Sequence, residues 1–151
     1  MSGKRIHRIR NLALVGAAGA GKTSLAEALL YRAGAIGAPG SLERGSTVSD
    51  FDILERRVQH SLNASLLHLQ HADARVHLID TPGTPDFLGQ SLPALEAVET
   101  AAIVVSAMTG IEMMAERMTR YAAARAPTRI IVLNKIDAQG EDTAALVAEL
   151  Q

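Results

Sequence analysis

The feature that most constrains this chain is a glycine-rich run, GAAGAGKT at residues 16–23. Residues 8–15 before it end in a short apolar stretch typical of a buried strand. After it, Leu25, Leu29 and Ala33 recur at the spacing of one helix face. A strand, a glycine loop and a helix in this order predict a phosphate-binding loop of the pattern Gly, four residues, Gly-Lys-Ser/Thr. The alternative for the same residues is a glycine-rich turn with an incidental lysine.

This loop offers the groups that bind phosphate. Glycines let backbone N–H groups come close to phosphate oxygens, and the start of the following helix adds positive charge. We expect Lys22 to contact the β and γ phosphates, which makes it a candidate catalytic residue, and the hydroxyl of Thr23 to bind Mg²⁺. The predicted nucleotide-binding residues of the loop are Gly16, Ala17, Ala18, Gly19, Ala20, Gly21, Lys22, Thr23 and Ser24.

A second motif, Asp80-Thr81-Pro82-Gly83, follows an apolar segment that ends at Ile79. Strands of α/β proteins bring their carboxyl ends to the edge of the sheet where ligands bind. We therefore expect Asp80 to reach Mg²⁺ through a water molecule and Gly83 to offer its backbone N–H to a γ-phosphate. Taken without the phosphate loop, the same four residues are equally typical of a tight turn.

A third motif, Asn134-Lys135-Ile136-Asp137, ends the apolar run RIIVLN and predicts recognition of a base. A carboxylate at Asp137 can accept hydrogen bonds from guanine N1–H and from its exocyclic amine, whereas adenine presents no such pair of donors. The stem of Lys135 can lie along the purine face. We expect Asn134, Lys135 and Asp137 to form a buried guanine pocket, a helix N-cap being the alternative for an isolated tetrapeptide.

Composition excludes several other classes of protein. The 151 residues carry 48% hydrophobic and 21% charged side chains with a net charge of −1, which is ordinary for one globular domain. No apolar run approaches the roughly 20 residues of a membrane helix, and the basic N-terminus lacks a signal-peptide core, so we expect a cytoplasmic protein without a membrane partner. With no cysteine, a disulfide scaffold and a thiolate site are excluded.

The order of patterns predicts an α/β fold with a mainly parallel sheet, helices on both faces and one antiparallel hairpin strand. Strands are expected at residues 8–15, 61–70, 74–80, 100–108 and 129–134. Helices are expected at residues 22–33, 86–98, 112–125 and 141–151. Between them, residues 35–60 show no periodicity and predict a long irregular loop, a length that is usually functional.

The three motifs, together with the segments KTSLAEALLYRAGAIG, GSTVSDFD, DTPGTPDFLGQ and RIIVLNKID, resemble the GTP-binding domain of the translational GTPases. Elongation factor G and its elongation-factor-G-like paralogues are the most similar. The resemblance implies a phosphate-loop NTPase fold of the Ras-like G-domain type, with GTP or GDP and Mg²⁺ as ligands. It also implies GTP hydrolysis stimulated by the ribosome and two switch segments, one ending near Ser61 and one at about residues 80–87.

Four departures from the family pattern bear on function. The phosphate loop has Ala17 and Gly19 where the family has histidine and aspartate. Ser61 stands in the place of a Mg²⁺-binding threonine, and its hydroxyl can still bind the metal. Thr84 replaces the histidine that orients the attacking water, so Thr84 is a candidate catalytic residue and hydrolysis is expected to be slow. The chain ends before the family's last guanine-contacting segment, which predicts one C-terminally incomplete domain over residues 1–151.

That ending leaves the strand at residues 129–134 as an exposed apolar edge, for which we expect self-association. The leading hypothesis is a GTP-binding domain with weak GTPase activity from an elongation-factor-G-like protein. The alternative is a nucleotide-sensing or ribosome-associated module that does not hydrolyse GTP. An ATP-using phosphate-loop enzyme is a distant third, because Asn134 to Asp137 favour guanine.

Overall fold

The computed structural model describes residues 8–125, 128–137 and 143–149. Five strands and five α-helices lie within these ranges. The strands are β1 Ile9–Val15, β2 Ser65–His71, β3 Ala74–Asp80, β4 Thr100–Ser106 and β5 Thr128–Asn134. The helices are α1 Lys22–Arg32, α2 Ile53–Val58, α3 Leu88–Glu96, α4 Met113–Arg125 and α5 Thr143–Glu149.

The strands form one sheet in the order β2-β3-β1-β4-β5. β1 runs parallel to both β3 and β4, and β5 runs parallel to β4. Only β2 is antiparallel, since it is joined to β3 by a tight turn in which Ala72 adopts a left-handed φ of 51°. The predicted α/β fold, with its mainly parallel sheet and its single hairpin strand, is confirmed.

Alternate residues of the central strands face two separate cores, as the twofold repeat of a strand requires. On one face, Leu14, Leu78 and Val104 pack with Leu30 of α1. On the other face the buried residues come from β1, β4, α3 and α4, and include Ala13, Ile103, Leu95 and Met118. β4 lies in the middle of the parallel part and is buried on both sides, which explains its uninterrupted apolar sequence.

The segment expected to be one irregular loop differs from the prediction, because residues 53–58 form α2. A capping box starts this helix: Asp52 accepts the N–H of Leu54, and Glu55 accepts the N–H of Asp52. Six residues are too few to show a helical period in the sequence. The strand expected from residue 61 also begins later, at Ser65, and a 3₁₀ turn at Pro85–Phe87 precedes α3.

The carboxyl ends of β1, β3 and β5 lie at the same edge of the sheet, and the three predicted motifs follow these ends directly. β5 is an outer strand, as expected, and Ile130 and Ile131 are 43% and 44% exposed. Within the described residues, no helix combines the length and apolarity needed to cross a membrane.

Candidate functional site

The loop between β1 and α1 has the backbone that the glycine pattern predicts. Gly16 and Gly21 adopt φ values of 137° and 93°, which residues with a side chain rarely take. A Cβ at Gly16 would collide with the carbonyl oxygen of Val104, and one at Gly21 with the side-chain amide of Asn134. These two positions therefore require glycine for space as well as for conformation.

Lys22 points back into this loop. Its Nζ donates to the carbonyl oxygens of Gly16 at 3.1 Å and Ala17 at 2.7 Å. Burial lowers the pKa of the Lys22 ammonium to about 8, although the negative charges of Asp80 and Glu112 act in the opposite direction. At neutral pH the group is still mainly protonated, and two of its three protons are bound by these carbonyl groups.

Thr23, Ser61 and Asp80, the three predicted metal ligands, lie together. The Thr23 hydroxyl donates to Oδ2 of Asp80 at 2.7 Å, and its oxygen lies 3.3 Å from Oγ of Ser61. The Ser61 hydroxyl donates at 2.7 Å to Oδ1 of Asp50. Because each hydroxyl has one proton and gives it to a carboxylate, the two oxygens face each other with lone pairs.

Asp80 is buried, and its Oδ1 contacts no hydrogen-bond partner among the described residues. Burial raises the pKa of Asp80 to about 6, against the hydrogen bond from Thr23, the charge of Lys22 and the nearby hydroxyl of Ser49. The lone pairs of the Thr23 and Ser61 oxygens therefore lie beside a carboxylate oxygen of Asp80 that has no hydrogen-bond partner among the described residues. Such a group of oxygens suits a hard cation such as Mg²⁺, which prefers oxygen ligands and is usually held by a few protein groups together with substrate phosphates. The donor set therefore fits the metal.

Asp50 is a residue of this site that the sequence analysis missed. It is buried, accepts the Ser61 hydroxyl through Oδ1 and accepts the Thr47 hydroxyl at 3.1 Å through Oδ2. No spacing rule marks it, because it lies in the segment without periodicity. Its only signal was its presence in GSTVSDFD, one of the segments that carry the family resemblance.

The motif after β3 packs directly on the phosphate loop. The N–H of Ala18 donates to the carbonyl oxygen of Gly83 at 3.1 Å. A Cβ at Gly83 would collide with the backbone of Ala18 and with Nζ of Lys22, so the close approach depends on this glycine. Thr84 follows, with a buried Oγ1 that has no partner in the part of the chain that the structure describes.

A cavity of about 220 Å³ lies beside this cluster; Thr23 and Ser61 line it, whereas Asp80 is buried behind Thr23 and does not. Its walls come from the phosphate loop, from the end of the segment before β2, and from the motifs after β3 and β5. The lining residues are Ala18, Gly19, Gly21, Lys22, Thr23, Ser24, Leu42, Gln59, His60, Ser61, Thr81, Gly83, Thr84 and Lys135. Of the predicted loop residues, Gly16, Ala17 and Ala20 are buried behind this wall.

The third motif is divided between this cavity and the surface. Asn134 donates through Nδ2 to the carbonyl oxygen of Ala20 at 2.9 Å, and Lys135, at a left-handed φ of 59°, lines the cavity. Asp137 lies past the end of β5 and is exposed, and its contact with guanine stays a prediction.

Comparison with known proteins agrees with this geometry. Residues 7–151 match the elongation factor Tu GTP binding domain family. The chain belongs to this family. It is therefore a GTP-binding domain of the translational GTPase type, and the predicted G-domain fold is confirmed.

Relatives in this family share about a third of the aligned residues. An elongation factor G-like protein of Mycobacterium tuberculosis is 37% identical over 129 residues, which are 85% of this chain and 18% of that protein. Tetracycline resistance protein TetO of Campylobacter coli is 35% identical over 144 residues, which are 95% of this chain and 22% of that protein. The chain thus spans about a fifth of the length of the curated relatives it matches.

Solved structures show the same fold. A protein of Thermus thermophilus superposes with a TM-score of 0.91 and 38% identity, covering 95% of this chain and 22% of that one. A bacterial selenocysteine-specific elongation factor, EF-Sec, superposes with a TM-score of 0.73 at 22% identity, covering 93% of this chain and 22% of that one, which shows a shared fold.

Proposed function

We propose that this chain binds GTP and GDP together with Mg²⁺ and hydrolyses GTP slowly, as the G domain of an elongation-factor-G-like protein. The observation that carries the proposal is the pair of hydroxyl oxygens of Thr23 and Ser61, which face each other at 3.3 Å beside Asp80. This arrangement lies in the same cavity as the phosphate loop.

The phosphate end of the nucleotide is assigned to the loop at residues 16–24. The third proton of the Lys22 ammonium is available to a β or γ phosphate oxygen, and the N-terminus of α1 points at the same place. The backbone N–H of Gly83 is the candidate contact to the γ-phosphate, because the close packing of Gly83 on Ala18 brings it to the loop.

In this proposal Thr23 and Ser61 would hold Mg²⁺ through their hydroxyl oxygens, and Asp80 would hold it through a water molecule. Bound Mg²⁺ would neutralise charge on the β and γ phosphate oxygens. Asp50 holds the Ser61 hydroxyl so that its lone pairs are directed to the metal position. Asn134, Lys135 and Asp137 select guanine, with Asn134 joining this motif to the phosphate loop.

Slow hydrolysis follows from Thr84. A threonine hydroxyl is short, and its Oγ1 is buried without a partner among the described residues, so it is poorly suited to hold a water molecule in line with the γ-phosphate. The same observation supports the second candidate function, a guanine-nucleotide sensor or ribosome-associated module without turnover. A cytoplasmic location and a ribosomal partner for a longer protein are part of the proposal, supported by relatives that are named elongation factors.

Titration with fluorescent GDP, a non-hydrolysable GTP analogue and ADP, each with and without Mg²⁺, tests the proposal. We expect both guanine nucleotides to bind, and Mg²⁺ to increase the affinity for the GTP analogue. ADP should bind at least about 100-fold more weakly than GDP. Equal affinities for GDP and ADP would contradict it. Single-turnover release of phosphate from GTP then separates the slow GTPase from the non-hydrolysing module.

A further inference from the structure

Glu55, on the short helix α2, is a buried carboxylate that accepts only backbone hydrogen bonds in the described chain. It is 1% exposed. Its Oε1 accepts the N–H groups of Leu62 at 2.9 Å and Asn63 at 3.0 Å, and its Oε2 accepts that of Asp52 at 3.2 Å. No basic side chain forms an ion pair with it among the described residues. Three N–H groups therefore balance its charge.

Two of these N–H groups immediately follow Ser61. The left-handed turn at Gln59, with φ of 57°, ends α2 and returns the chain so that residues 62 and 63 meet the Glu55 carboxylate. Both N–H groups donate to the same carboxylate oxygen, so the backbone that follows Ser61 is held against α2. Ser61 is consequently held from both sides, by Asp50 through its hydroxyl and by Glu55 through the next two peptide groups.

We propose that Glu55 is a positioning residue for the metal site. Its carboxylate fixes the peptide groups after Ser61 and thereby keeps the Ser61 oxygen beside that of Thr23. Glu55 does not line the nucleotide cavity. This inference rests on the proposed function, in which those two hydroxyls bind Mg²⁺ next to the γ-phosphate.

Glu27 of α1 provides a matched control. It is also 1% exposed, and its carboxylate also accepts backbone hydrogen bonds from the same segment, from the N–H groups of Gly40 and Val48. Those contacts lie earlier in the segment, at residues 40 and 48, and not at the peptide groups next to Ser61. Replacement of either glutamate by glutamine removes a buried charge and turns one of two acceptor oxygens into an NH2 donor, but only Glu55 contacts the residues that follow Ser61.

The experiment compares Glu55→Gln with Glu27→Gln in the 151-residue chain. Affinities for GDP and for a non-hydrolysable GTP analogue are measured over a series of Mg²⁺ concentrations, together with the midpoint of thermal unfolding. We expect Glu55→Gln to lower the affinity for the GTP analogue in the presence of Mg²⁺ by about tenfold and to raise the half-saturating Mg²⁺ concentration. Loss of a residue that orients a metal ligand typically lowers metal affinity or activity by about 10–100-fold. GDP affinity without Mg²⁺ should change by less than about twofold.

We expect Glu27→Gln to lower the unfolding midpoint as much as Glu55→Gln does and to leave the Mg²⁺ dependence unchanged. Equal Mg²⁺ shifts in the two variants, or no shift in Glu55→Gln, would overturn the inference. If Glu55→Gln does not fold, Glu55→Asp retains the charge with a shorter reach and should shift the Mg²⁺ dependence in the same direction; an unshifted dependence there would equally overturn it.

A double mutant identifies the route of the effect. In a Ser61→Ala background, Glu55→Gln should produce no further change in Mg²⁺ dependence, because the group that it positions is gone. An additive change would show that Glu55 acts elsewhere. A different result would contradict the proposed function itself: the affinity of the wild-type protein for the GTP analogue would not change with Mg²⁺ concentration.

Discussion

Nδ2 of Asn134 donates to the carbonyl oxygen of Ala20 at 2.9 Å, so the end of β5 is bonded to the phosphate loop across 114 residues of chain. Gly21, beside Ala20, leaves the space that the amide occupies. The motif proposed to bind the base and the loop proposed to bind phosphate are thus held at a fixed separation. A change at Asp137 should therefore alter base selection and leave phosphate binding in place.

Asp137→Asn tests that separation. An amide in place of the carboxylate presents a donor that suits the C2 carbonyl of xanthine, so we expect GDP to bind at least about tenfold more weakly and xanthosine diphosphate to bind more tightly. Competition titration of the two nucleotides measures this exchange. A variant that retains the GDP preference of the wild type would show that another residue selects the base.

Lys22→Ala should remove most nucleotide binding. The ammonium is already hydrogen-bonded within the loop, and its loss removes a charge-assisted contact to phosphate of roughly 1.5–3 kcal/mol, at least about tenfold in affinity. Isothermal titration with GDP measures the change, and circular dichroism checks that the fold is intact. Unchanged affinity in a folded variant would exclude a phosphate loop at residues 16–23.

Thr84→His should raise the rate of GTP hydrolysis, because an imidazole can hold a water molecule that the threonine hydroxyl cannot reach. Thr84→Val is the control: it removes the unpartnered hydroxyl, and we expect unchanged binding and hydrolysis. Single-turnover assays under matched conditions compare the three proteins. If Thr84→His gives no gain, another group that lines the cavity, such as His60, orients the water.

Self-association through the β5 edge should depend on its apolar side chains. We expect the chain to form dimers or larger species as its concentration rises, and Ile131→Lys to abolish them, since lysine on an edge strand opposes pairing. Met113→Lys is the matched control, as Met113 is an exposed apolar residue on α4 and not on the edge strand. Light scattering measures all three proteins, and a wild type that stays monomeric at every concentration would contradict the prediction.

Glu99→Gln should have a small, pH-dependent effect on stability. Burial raises the pKa of Glu99, but the hydrogen bonds from the backbone and side chain of Asn11 outweigh it and lower the pKa overall. A lowered carboxyl pKa stabilises the fold above the unfolded-state pKa, and the contribution is lost as pH falls through the folded-state pKa. We expect a loss of about 0.5–1 kcal/mol at pH 7 that disappears in acid, measured by urea unfolding.

The parts of the fold that could be predicted are those whose own sequence contains a recognisable pattern. β1, the phosphate loop and α1 combine a glycine pattern with helical spacing, and β4 is apolar throughout because both its faces are buried. α2 was not predictable, since Glu55 stabilises it through the peptide groups of residues 62 and 63. Asp50 belongs to the candidate metal site through folding alone.

The backbone contacts of Glu27 and Glu55 have a consequence for how the segment between them can evolve. Both carboxylates bind peptide N–H groups, which every residue except proline provides. Side chains at positions 48, 62 and 63 can therefore vary widely while the segment stays bound, provided that the two glutamates are retained and proline is avoided. Gly40 is the exception, because a Cβ there would meet the backbone of Ser46.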